Sequence, residues 1–317
     1  MRQRRPVMRS RSPASEVPVR SARQLNLGSA ILALSVLADS GIEHYRGSFH
    51  NRAMYTPLGV ASLTLAVSLL GALDTRPRGH RARDAIYALS AATGLAGFGF
   101  HLYNVAKRPG GFSWLNFFYA APIGAPFALV LAGLLGKGAE SARSTRAPSP
   151  GARPSQAAHF CTHQAGRVLA ALSAVGLAGT VAEAALLHFR GAFQNPAMVL
   201  PVSVPPVAAA LLAAAAVRST PSAMRPGLVC PRGVRPPGTQ PGRRSRGLAR
   251  WWLKLTALLG FVGVGFHARG IARNMGGWGN WSQNILNGPP LPAPPSFTGL
   301  ALAGLAALGL MEDNVDE

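Results

Sequence analysis

Cysteine is nearly absent from this chain: its 317 residues include two, Cys161 and Cys230. That excludes a disulfide framework, and Cys161-Thr162-His163 offers too few donors for a metal site. Lysine is scarce too, with Lys107, Lys137 and Lys254 the only three. Acidic residues number 11 against 32 Lys and Arg, giving a formal net charge of +21, yet only 14% of the chain is charged. An ordinary soluble domain carries about a quarter. A nucleic-acid binder of this basicity would need its charge on a folded polar surface. Here the charge falls in blocks between long uncharged runs, so no nucleic acid is expected as a partner. There is no P-loop, no dinucleotide fingerprint, no H-E-x-x-H and no G-x-S-x-G, which argues against a stand-alone soluble enzyme. The basic, Ser- and Pro-rich start has no convincing cleavage site and reads as a disordered arm.

What the chain does have is apolar length. Eight apolar segments cover roughly Leu25–His44, Tyr55–Leu73, Ala85–Tyr103, Leu115–Gly136, Val168–His188, Met198–Val217, Trp252–His267 and Phe297–Met311. Each approaches the roughly 20 residues that cross a bilayer, and tilt absorbs the shortfall of the shorter ones. The expected fold is an all-α integral membrane protein with eight transmembrane helices, its first partner the lipid bilayer. Most Arg lies in alternate connections, which the positive-inside rule places in the cytoplasm, and both termini fall there too. The expected location is the bacterial inner membrane. Trp114, Trp278 and Trp281 lie in the other connections and suit an interfacial belt.

The chain also repeats itself. "EHYRGSFHNRAM" (43–54) and "LHFRGAFQNPAM" (187–198) match at an offset of 144 residues. "GLAGFGFH" (94–101) and "GFVGVGFH" (260–267) match at an offset of 166. The expectation is two parallel four-helix repeats, 25–136 and 166–311, joined by a cytoplasmic linker at 137–165. A basic arm at 1–24 precedes them and an acidic tail at 312–317 follows.

Four histidines recur between the halves: His44 with His188 and His101 with His267. Each ends the first or third span of its half. Those spans run in the same direction, so the two imidazoles of a half sit at one depth, near the outer face. Beneath His101 lie Gly97 and Gly94, and beneath His267 lie Gly263 and Gly260; Ser40 and Ala184 hold the corresponding places under His44 and His188. Two level imidazoles over small faces suit one or two haem b groups, and Arg46 and Arg190, two residues further on, suit haem propionates. The design resembles b-type cytochrome membrane subunits in having paired histidines in a helical bundle, although no family motif is matched. Such a subunit would pass electrons between a periplasmic redox partner and quinone. The same four imidazoles, if they converge, would instead suit a single Cu, Zn or Fe ion. Glycine faces also serve plain helix packing, and a transporter or a structural anchor built from parallel repeats stays open. Asp39 and Glu183 match as well, each five residues before its histidine, and are candidate proton or polar sites. Met54 and Met198 are better explained as packing than as ligands.

Overall fold

The computed structural model describes residues 16–119, 122–144, 156–218 and 242–312. Most of the expected basic arm, the middle of the linker, the long Pro/Arg connection and nearly all of the acidic tail lie outside the described residues. Ten α-helices follow in chain order: α1 Glu16–Arg46, α2 Thr56–Leu73, α3 Arg81–Ala106, α4 Trp114–Tyr119, α5 Gly124–Ser144, α6 Gln156–Arg190, α7 Leu200–Arg218, α8 Gly242–Arg273, α9 Trp281–Asn287 and α10 Pro295–Glu312. No strand occurs among the described residues.

Seven helices are long and apolar enough to cross a membrane: α1, α2, α3, α6, α7, α8 and α10. α5 is not among them. The expected fourth span, 115–136, is divided between the short α4 and α5, with Pro122 and Ile123 ahead of Gly124. A proline denies the backbone a donor and disfavours helix at the residue before it. α5 then runs on past 136 through Lys137, Glu140 and Arg143, charges that lower its hydropathy. Part of the expected arm, residues 16–24, is helix, because α1 begins at Glu16.

α1, α5, α6 and α10 form the centre. α1 packs on α2, α5 and α10; α6 packs on α7 and α10; α3 lies against α5, and α8 against α10. The main core joins Leu25, Leu32, Leu135, Leu177, Leu212, Leu300 and Leu308. Small residues set the closest crossing. A Cβ on Gly28 of α1 would stand 2.6 Å from the carbonyl oxygen of Gly299 of α10, so the two backbones touch there.

Two turns of the same build follow α1 and α6. Ser48 and Phe49 adopt positive φ (56° and 44°), as do Ala192 and Phe193 (53° and 47°). The Asn51 side chain accepts the Ala53 N–H at 2.9 Å, and Asn195 accepts the Ala197 N–H at 3.0 Å. These Asn bonds satisfy donors at the start of the next helical segment and hold a left-handed backbone that non-glycine residues adopt only at a cost. The Met54 and Met198 methyls pack over Gly47 and Gly191, which is the packing role expected of them.

At the opposite end of the helices, Arg23 Nε donates to Ala72 O at 2.7 Å and Arg167 Nε donates to Ala216 O at 2.8 Å. Each guanidinium covers a carbonyl that the last turn of α2 or α7 leaves without an intrahelical donor.

Candidate functional site: the paired histidines

His44 lies in the last turn of α1 and His101 in the last two turns of α3, and the two helices finish at the same end of the bundle because α2 runs back between them. His188 of α6 and His267 of α8 are placed alike around α7. His44 and His101 are close enough for their charges to interact, and so are His188 and His267.

All four rings engage the backbone in one way. His44 Nδ1 lies 2.7 Å from Met54 O, His188 Nδ1 2.8 Å from Met198 O and His267 Nδ1 2.7 Å from Pro290 O, and His101 Nδ1 contacts Pro122 O. A carbonyl oxygen only accepts, so Nδ1 must carry the proton. In the neutral ring Nε2 then keeps its lone pair. A backbone carbonyl on one ring nitrogen is the usual device that fixes the tautomer of a ligating histidine. It also ties each helix end to the chain leading into the next long helix.

The glycine faces do something other than expected. A Cβ on Gly94 would stand 2.6 Å from Val130 N and one on Gly97 3.4 Å from Pro126 Cβ, both on α5. A Cβ on Gly260 would stand 3.0 Å from Thr298 N and one on Gly263 2.8 Å from Pro294 Cβ. These faces admit the first turn of the neighbouring helix and leave no slot for a macrocycle: with no Cβ on one helix, the prolines of the next settle into the groove. Space lies elsewhere. Gly41, three residues before His44 and on its side of α1, has nothing within 4 Å of a built Cβ. Ala185 stands at the matching place in α6. Ser40, beneath His44, is buried.

The expected propionate partners have other company. Arg46 is paired with Glu43 at 2.8 Å, both substantially exposed. The Arg190 guanidinium lies 5.0 Å over the Tyr119 ring, a cation–π contact between α6 and α4. Asp39 of α1 and Glu183 of α6 are close enough to interact electrostatically, and the Glu183 carboxylate fills the space against α5 where a side chain on Gly124 would go.

Among the described residues no group of three or more His, Cys, Asp or Glu side chains is placed to hold a metal ion. The four imidazoles thus do not converge on one ion. A bare zinc or copper ion usually takes three or four protein donors, whereas a haem brings four nitrogens of its own and asks the protein for two.

Two sets of polar residues were not singled out from the sequence. Asn116 of α4 donates to Pro109 O and Gly111 O at 3.1 and 2.6 Å, and Asn284 of α9 donates to Met275 O and Gly277 O at 3.2 and 2.8 Å. Each holds one Gly-Gly loop, and the Asn-to-Gly-Gly spacing is nearly the same in both halves. At the other end of the bundle Arg83 pairs with Asp74 at 3.0 Å and with Glu140 at 2.9 Å. Fully buried Arg143 donates to Gly71 O at 2.6 Å and Arg76 O at 2.9 Å. The Tyr87 hydroxyl donates to Asn26 Oδ1 at 2.6 Å. No protein-family model, no curated protein and no solved structure matches this chain, so what it does has to be argued from its own residues.

Proposed function

We propose that this multi-pass membrane protein is a b-type haem electron-transfer subunit. In this reading it has eight spans arranged as two parallel four-helix repeats, with α5 as the fourth. His44 with His101, and His188 with His267, are axial pairs for one or two haem b groups. The Arg-rich ends of the helices and both termini face the cytoplasm across a bacterial inner membrane, and the histidine end meets a periplasmic redox partner. Electrons pass between that partner and quinone. One observation carries the reading: each of the four recurring imidazoles sits near the end of a long helix with Nδ1 on a carbonyl, which leaves Nε2 to ligate. The recurrence of the Asn turns, the Arg helix caps and the Asn-held Gly-Gly loops supports the two-repeat arrangement.

The same four bonds favour a second reading, in which the imidazoles only staple helix ends and the protein anchors a partner enzyme. Haem content separates the two. Purified wild-type protein should contain about one or two haems per chain by pyridine haemochrome assay, as two axial pairs allow. His101→Ala should empty the first site and His267→Ala the second, while the double variant stays folded but haem-free. Wild-type protein without haem after expression with ample haem supply would leave the staple reading standing.

A further inference from the structure

α1 meets α10 and α5 meets α6, and these two seams differ. Between α1 and α10 the backbones touch at Gly28 and Gly299. At the offset of 144 from Gly28 stands Leu172 of α6, and at the offset of 168 that relates Pro122 to Pro290 and Asn116 to Asn284, Leu131 of α5 corresponds to Gly299. Two leucines in place of two glycines hold these helices apart. An apolar groove of about 350 Å³ results, lined by Phe127, Leu131 and Leu134 of α5 and Val168, Leu172 and Val175 of α6. Val168 and Val175 are more than half exposed (58% and 57%), so the groove opens to the lipid side. On the same face of α6, one turn beyond Val175, exposed Gly179 has nothing within 4 Å of a built Cβ, and one turn beyond that stands Glu183, with its carboxylate against Gly124 of α5 and near Asp39.

We propose that the α5/α6 seam is a quinone site: the isoprenoid tail lies in the Leu131/Leu172 groove and the ring lies at Gly179, within hydrogen-bonding reach of Glu183. The chemistry of the groove selects this occupant. It needs a molecule with a long apolar part and a compact polar head that enters the membrane. Glu183 lies seven residues before the end of α6, about 10 Å below it at helical rise. A phospholipid head, charged and bound to the interface, does not descend that far. An uncharged quinone ring does, and its carbonyl oxygens accept from the O–H of a carboxylic acid. The site names the place for the quinone of the proposed electron-transfer function but requires no haem.

The test is titration of the full-length protein in phosphatidylglycerol nanodiscs with decylubiquinone, with haem content measured on the same samples. Saturable binding is expected. Val175→Trp, which fills the groove from its open side, and Gly179→Leu, which fills the ring position, should each weaken binding at least about tenfold. Glu183→Leu should do the same. Leu69→Trp, on the exposed face of α2, should bind as the wild type does. Val175→Trp and Gly179→Leu variants that elute as folded protein yet bind decylubiquinone like the wild type would overturn the proposal. So would wild-type protein that takes up only phospholipid. Haem-free protein with saturable, groove-dependent binding would end the cytochrome reading and leave the quinone site standing.

Discussion

At the scale of single residues, most polar groups are committed to holding chain segments in place. The histidines tie helix ends to the following segments, Asn51 and Asn195 fix strained turns, and Arg143 covers the end of α2. Asp74, in the connection after α2, shows how such a group responds to acid. Burial alone would raise its pKa. The Arg76 N–H, the Arg83 guanidinium and the Arg143 charge outweigh burial and hold it below its ordinary value of 3.8. A carboxylate whose folded pKa is depressed contributes stability that is present above its unfolded pKa and is lost as pH falls through the folded one. The protein in detergent should therefore lose thermal stability as pH falls below about 4. Asp74→Asn should have a lower Tm at pH 7 and a visibly smaller further loss on acidification. Parallel Tm-against-pH curves for the two proteins would show that Asp74 is not the group responsible.

At the scale of helices, glycine decides which pairs close and which stay open. Gly28 and Gly299 bring α1 and α10 together, and Gly94 and Gly260 seat the first turns of α5 and α10. Gly28→Val should destabilise the protein by about 1–3 kcal/mol, because the new side chain meets a backbone oxygen that cannot step aside. Gly41→Ala, which meets open space, should change thermal stability little. Equal Tm losses for the two would contradict the assigned packing. This scale also marks the limit of what the sequence could reveal. The place of the four recurring histidines near helix ends followed from apolar runs and their spacing. The filling of the glycine faces was not legible, since a small face reads the same whether it will meet a helix or a ligand. The fourth apolar stretch read as one segment of hydropathy over 115–136, with Pro122 and Pro126 marking an irregular entry, and the structure divides it there into α4 and α5. The charges on α5 beyond Gly136 were assigned to a linker, whereas Lys137 pairs with Asp84, Glu140 with Arg83, and Arg143 donates to carbonyls at the end of α2. That pairing joins residues 57 apart in the case of Arg83 and Glu140, and no local pattern announces it.

At the scale of the whole molecule, the two stretches of chain that share motifs have different contents. The first buries an ion-pair cluster of Asp74, Arg83, Glu140 and Arg143 at the end away from the histidines. The second has the half-exposed pair Arg250–Glu312 in that region. The first also has the open position at Gly41, while one inter-half seam is closed and the other grooved. The claim on which this account turns is that the paired imidazoles ligate haem iron. The most direct measurement is the optical difference spectrum of the purified protein, dithionite-reduced minus air-oxidised. The account predicts a sharp low-spin α band with a Soret shift, lost when His44 and His188 are both replaced by alanine. A flat spectrum from protein expressed with ample haem supply would contradict it.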